Sequence, residues 1–226
     1  KDTDISKTIS IADIAENDFV LNPTRYFTES IKVENGVEFG SLIKSISRGA
    51  PCTAQELDSL LSKEPTDFQY LMLSNIKNGV IDEELPYLKG IDQRYERFCV
   101  KNGSLLLSKN GYPFKVAIAR VPDGKKLLAN GNLFIIELNE QLIKSYYLKA
   151  FLESEKGIAT LKSIAVGAVI PNIGLEQLKK IQIPMIPMEQ QEETETKYLA
   201  VLDEIDILKR KIAKAEASLK SLFDEE

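Results

Sequence analysis

An α+β fold, a mixed β-rich body followed by a long coiled-coil-type helix, is what this sequence predicts, and three observations carry the prediction. Apolar runs of strand length recur between residues 68 and 138, separated by turns rich in Asn, Gly, Ser and Lys. Residues 152–188 read as a glycine-bearing loop, a short helix and a proline-spaced strand, followed at once by the Gln190-Gln191 pair. From Tyr198 to Leu222 the apolar side chains then step by three and four residues, the rhythm of a narrow helical seam.

Taken in order, Ser10 to Glu16 has a polar start and an apolar pair three apart, Ile11 and Ile14, which predicts a capped helical turn ended by Asn17-Asp18. Phe19 to Pro23 is expected to be extended, because a residue before proline is pushed out of the helical region. Val37 to Ser45 predicts a short helix or strand entry. It is closed by Ser47-Arg48-Gly49-Ala50-Pro51, a loop with Arg48 at its tip and with special backbone angles expected at its glycine and proline. An apolar run over 68–73 precedes Ser74 to Ile81, which reads as strand, Asn78-Gly79 turn and strand. Ser104 to Ser108 and Phe114 to Val121 are strands around a dense turn signal at Lys109 to Pro113, and Asn130-Gly131 turns the chain into the strongly apolar 133–138. Gln141 to Ser154 has helical spacing through Leu142, Tyr146, Lys149 and Leu152.

With 226 residues, 43% hydrophobic and 28% charged, the chain falls in the globular range. No apolar stretch is long enough to span a membrane and no signal-peptide pattern opens the chain, so a soluble, cytoplasmic protein without a membrane partner is expected. A start at Lys1 in a polar stretch reads as a piece of something longer. Cys52 and Cys99 lack metal-site spacing and read as reduced, half-buried small residues. The absence of histidine removes imidazole metal sites and the Ser-His-Asp and Cys-His nucleophile systems. No phosphate-cradling glycine loop appears, and Asp82-Glu83-Glu84 before Leu85-Pro86 reads as a solvated turn. No catalytic residue, metal or cofactor is therefore assigned.

The net charge is -5, yet its distribution matters more than its sum. Residues 1–30 hold three basic and six acidic side chains, and residues 189–226 hold six and eleven. The body between them, with 20 basic and 17 acidic residues, is open to a polyanion. Its turns carry Arg48, Ser74, Asn75, Lys77, Lys109, Asn110, Lys115, Asn130 and Asn132, side-chain types that bond phosphates or base edges. Taken singly, each such turn is also ordinary loop chemistry. On the last helix, Tyr198, Val201, Ile205, Leu208, Ile212, Ala215, Leu219 and Leu222 form the seam, whose narrowness and charged flanks favour a projecting helix with a partner over an amphipathic helix packed on its own domain.

These residues carry a resemblance. Gly103 to Gly111 (GSLLLSKNG), the strand Asn132 to Leu138, the helix from Tyr146 to Phe151, Lys156-Gly157 through Ala168-Val169-Ile170-Pro171, and Ile181-Gln182-Ile183-Pro184 with Gln190 look like the target recognition domain of type I restriction-modification specificity subunits. The resemblance covers about 31–226 and divides the chain into an N-terminal segment (1–30), a DNA target recognition domain (31–188) and a spacer or dimerisation helix (189–226). Ile14 to Tyr26 is similar to the end of the type I N6-adenine methyltransferase subunit, as expected if that subunit were fused to its own specificity domain. The resemblance implies sequence-specific reading of double-stranded DNA. One such domain reads part of an asymmetric target, a second reads the rest, and paired helices fix the separation. Adenine methylation, with S-adenosylmethionine bound by the methyltransferase part, and cleavage by a motor-nuclease subunit belong to partners. The methyltransferase signature Asn-Pro-Pro-aromatic is absent, since Asn22-Pro23 is followed by Thr24-Arg25. One recognition domain with one helix is a half-unit, for which homodimerisation is expected. The competing expectation is a protein-interaction scaffold that docks a methyltransferase without reading bases.

Overall fold

The computed structural model describes residues 6–16, 19, 21, 26, 33–167 and 169–223. Helix α1 (Ile11–Glu16) opens on a reciprocal cap: the Ser10 hydroxyl accepts from the Asp13 amide at 3.0 Å and the Asp13 carboxylate from the Ser10 amide at 2.8 Å. Phe19 is not extended as expected. Its φ is 55° and its amide reaches back to the Ile14 carbonyl at 2.9 Å, closing the helix, while Val20, Asn22 and Pro23 of the Phe19–Pro23 expectation and Asn17-Asp18 lie outside the described residues.

The body is built in layers around a four-stranded antiparallel sheet, in which β2 (Ile43–Arg48), β12 (Leu133–Leu138), β9 (Leu105–Ser108) and β10 (Val116–Ile118) are neighbours in that order. Along its strands alternate residues go to opposite faces. Leu105, Leu107, Val116, Ile118, Phe134 and Ile136 pack toward helices α4 (Ser145–Glu153), α5 (Glu155–Ile164) and α6 (Leu175–Lys180). Leu106, Ala117, Leu133 and Ile135 pack on the other side with Leu71, Leu127 and Ala129 of a second, five-stranded sheet. Burial on both faces is why these strands read as continuous apolar runs instead of alternating ones.

The second sheet orders β3 (Leu61–Ser62), β7 (Tyr87–Leu88), β4 (Phe68–Leu71), β11 (Lys126–Ala129) and β8 (Cys99–Val100). Its β4 and β11 run parallel, Tyr70 opposite Leu128. Its outer face buries Tyr70, Leu88, Tyr95 and Leu128 beneath the partly buried Leu57 and Leu60 of α2 (Ala54–Leu60), with Tyr95 coming from α3 (Gln93–Glu96). The α2 helix starts on a Thr53–Glu56 capping box. The expected hairpin forms as β5 (Ile76–Lys77) and β6 (Val80–Ile81), with φ of 49° at Asn78 and 75° at Gly79, the positive angles an Asn-Gly two-residue turn supplies. Ser74 and Asn75, however, sit in a 3-10 turn (Leu73–Asn75) before the strand, because the Asn75 side chain accepts the Met72 amide and coils the chain there.

Three further expectations are corrected. Val37 to Ser45 is neither helix nor strand alone: β1 (Gly36–Glu38), which pairs with β15 (Gln182–Pro184), passes through a 3-10 turn (Phe39–Leu42) into β2. Leu142 lies in an exposed turn ahead of α4 instead of on the helix face. The expected glycine-bearing loop is mostly helix. Gly157 lies in α5, at a place where a side chain would collide with the Phe151 carbonyl as α4 hands over to α5; the loop itself is confined to the link between β13 (Ala165–Val166) and β14 (Asn172–Ile173), where Gly167 has φ 112°.

The chain ends in α7 (Met188–Lys220) and a 3-10 turn over Ser221–Phe223. From Asp203 to Lys220 every residue of α7 is exposed, so the helix projects from the body as the heptad spacing predicts. Among the described residues no helix is long and apolar enough to cross a membrane.

Candidate nucleic-acid interface

Strand register gathers the predicted polar residues. Arg48 pairs opposite Phe134, and Leu133 opposite Ser108, so the C-terminal ends of β2 and β9 and the N-terminal end of β12 lie at one edge of the four-stranded sheet. The residues just past those ends, Lys109 and Asn130 to Asn132, emerge beside Arg48 and line a cleft of about 420 Å³ with Gly49, Pro51, Cys52 and Phe98.

Arg48 is the last residue of β2 and not a loop tip. The turn after it is tight for a different reason from the one expected: Gly49 keeps an ordinary φ, but a Cβ there would lie 2.5 Å from the Ala129 carbonyl oxygen and closer to that of Asn130. The close approach lets the Gly49 amide donate to Leu133 at 2.9 Å and Ala50 to Ala129 at 2.7 Å, fastening the two sheets together at the cleft floor.

The asparagines divide the work. Asn130 builds the floor: its Oδ1 accepts the Asn132 amide at 2.9 Å and its Nδ2 donates to the Tyr70 hydroxyl at 2.8 Å. Asn110 donates to Asn132 Oδ1 at 2.9 Å and accepts from Asn172, while the Lys109 amide donates to the Asn132 carbonyl and Lys109 accepts from the Ile173 amide. The Asn132 side chain is exposed, its carbonyl oxygen holding one bond of the two it can accept, so it retains both a donor and an acceptor for an outside group. Asn172 went unremarked in the sequence because its contact with Asn110 spans 62 residues.

Electrostatics favours an anion. No carboxylate lines the cleft, and among the described residues neither Arg48 nor Lys109 is held in an ion pair. Arg97, another residue the sequence did not single out, places its guanidinium 4.6 Å from the centre of the Phe98 ring at the cleft wall. Burial pushes the Cys52 thiol up, so it sits there as a neutral small group.

The remaining candidates lie elsewhere and are bonded within the chain. Lys115 donates to the Leu73 carbonyl at 2.9 Å, Asn75 caps its own turn, and Lys77 pairs with Asp82 at 2.9 Å; Ser74 is exposed beside them. On α7 and the 3-10 turn that follows it, Val201, Ile205, Leu208, Ile212, Leu219 and Leu222 are between 40% and 69% exposed, and Ala215 is exposed with them, an uncovered seam. Tyr198 differs from them, since its hydroxyl donates to Glu153 and its ring packs on Tyr146 with centroids 5.8 Å apart. Burial and the neighbouring Glu153 carboxylate push the Tyr198 phenol well above its usual range.

Among the described residues, then, a cleft lined by cations and amides and free of carboxylates lies at one end of the central sheet, and a long exposed helix follows the body. The family model for the type I restriction modification DNA specificity domain matches residues 43–217. The chain belongs to this family, whose members supply sequence-specific DNA recognition in restriction-modification systems and are not catalytic in type I systems. No curated protein matches the sequence significantly. Among solved structures, a chain of a type I restriction-modification system has TM-score 0.56 at 16% identity, over 83% of this chain and 43% of that one. The HsdS subunit from Thermoanaerobacter tengcongensis gives 0.50 at 14%, over 93% and 50%. The type IIG restriction endonuclease BpuSI gives 0.56 at 10%, over 79% and 28%. These likenesses are of fold, and the chain spans half or less of the length of each structure.

Proposed function

We propose that the cleft between Arg48, Lys109 and Asn132 is the DNA-reading surface, and that the chain reads one part of a bipartite double-stranded target while partner subunits do the chemistry. The observation that carries this is the convergence, by register, of two cations free of ion pairs among the described residues and an asparagine with spare bonding capacity at one sheet edge. Arginine or lysine suits the two acceptors on the major-groove edge of guanine, and asparagine the donor-acceptor pair of adenine. In this reading Asn130 and Asn110 hold Asn132 in place. Lys77 and Lys115, both bonded within the chain, contribute little.

The chain itself carries no catalytic residue. Adenine methylation, with its S-adenosylmethionine, resides in a methyltransferase subunit or domain, and cleavage in a motor-nuclease subunit. The exposed seam from Val201 to Leu222, rising about 32 Å at 1.5 Å per residue, pairs with the helix of a second recognition half-unit, in the simplest case another copy of this chain.

Salt dependence of binding to an arbitrary duplex tests the surface whatever the target sequence is. Each phosphate contact contributes about one unit to the slope of log affinity against log salt. Lys109→Ala is expected to reduce that slope by about one, and Lys77→Ala to leave it in place. Equal slopes for both variants and the wild type would place the reading surface elsewhere.

A further inference from the structure

The way α7 leaves the body is governed by a buried polar knot. On the first turns of α7, Gln191, Glu195 and Tyr198 share one face and meet α4 in sequence. Helix α4 has no side-chain cap of its own at its N-terminus. Gln191, 1% exposed, accepts the Lys144 amide at 3.0 Å, Glu195 accepts the Tyr146 amide at 3.2 Å, and Lys144 pairs with Glu192 at 2.8 Å. Midway along α4, Lys149, also 1% exposed, donates to Glu153 at the far end of the helix and to the Val116 carbonyl at 3.2 Å, and its ammonium lies 5.4 Å from the Tyr198 ring centre. The other Glu153 oxygen takes the Tyr198 hydroxyl. The β5–β6 turn closes over this group so tightly that a side chain at Gly79 would collide with both Lys149 and Glu153.

A buried ammonium is tolerated only with its partners in place, and so it specifies one arrangement of them. Those partners come from β10 of the central sheet, from α4 and from α7. Beyond Tyr198 the helix soon has no support, all of Asp203 to Lys220 being exposed. From Tyr198 to Lys220 the arm is about 33 Å long, so a tilt of roughly 10° at the knot moves its tip by about 6 Å. That exceeds the rise of one base pair, about 3.4 Å.

The geometry points to Lys149 as a positioning residue: with Glu153 and Tyr198 it locks the angle between the reading edge and the projecting helix, and thereby the separation at which two reading edges can engage DNA. This inference rests on the reading of the cleft and seam given above. Lys149 touches no DNA and acts through the helix.

Spin labels at Asp123 and Lys211, both exposed, in the 226-residue chain carrying Cys52→Ser and Cys99→Ser, report the angle as a distance distribution. It is expected to be narrow in that background and to broaden and shift in Lys149→Met. Tyr198→Phe, which removes only the hydroxyl bond to Glu153, is expected to do so to a lesser degree and guards against a misfolded body. With both cysteines restored and no label, Lys149→Met and Tyr198→Phe should each select the same half-site from a duplex pool as the unmutated chain. An unchanged distance distribution in both variants would overturn the inference, as would loss of the half-site motif with the distances unaltered. Absence of any motif with the unmutated chain would instead overturn the underlying DNA reading.

Discussion

Arg48 and Asn132 lie on different strand ends yet face the same cleft, one as a free cation and the other as an exposed amide. Arg48→Ala is expected to relax preference at one base position at a cost of about 1–3 kcal/mol, measured by competition between duplexes differing at single positions; uniform affinities unchanged from the wild type would remove Arg48 from the surface. Gly49 makes a separate prediction. Gly49→Ala forces a methyl against two carbonyl groups and should destabilise the fold by about 1–3 kcal/mol, as overpacking does, measured by denaturant unfolding. The sequence marked Arg48 for its side chain and Gly49 for special backbone angles, and Gly49 has an ordinary φ. The types of side chain at the turns were legible, whereas the reason for Gly49 was not, because the obstructing carbonyls of Ala129 and Asn130 are some 80 residues away. For the same reason Asn130 and Asn132 looked equivalent, and only their partners show one building the floor and the other facing out.

Among the elements, α7 was the most legible, since a heptad pattern is local. Its length, Met188–Lys220, extends the seam upstream into a stretch of Gln and Glu that apolar periodicity cannot register. There the helix caps α4. Gln191→Ala should leave the Lys144 amide and the Ile186 carbonyl without their partners, a loss of about 1–3 kcal/mol, seen as a lower denaturant midpoint. The exposed part behaves differently. Ile205→Asp with Ile212→Asp touches nothing in the body, both residues being 40% or more exposed, so the melting temperature of the body should hold while self-association or partner docking is lost. A double variant that sediments as a monomer where the wild type sediments as a dimer confirms the seam; identical association of both would exclude it. Helix α5 was the element least visible, because Gly157 and the polar residues around it outweighed a weak periodicity, and its glycine serves the α4–α5 junction.

At the scale of the molecule, the layers follow from the doubly buried strands, but the pairing that makes the site does not. The parallel β4–β11 pair and the β2–β12 register join segments between 58 and 95 residues apart, separations at which a single sequence carries no pairing signal. The charge distribution was readable as a modestly basic body between two acidic ends, and the structure adds which of its cations have no ion pair among the described residues. Whether this sheet edge reads DNA sequence is decided by selecting bound duplexes from a randomised pool at low and moderate salt, since phosphate attraction at low salt masks specificity. A sequence-reading role for this edge gives one short motif that persists at the higher salt and loses preference at a single position when Arg48→Ala is selected in parallel. Binding without enrichment at either salt, or the same motif at full strength from the Arg48→Ala variant, would contradict it.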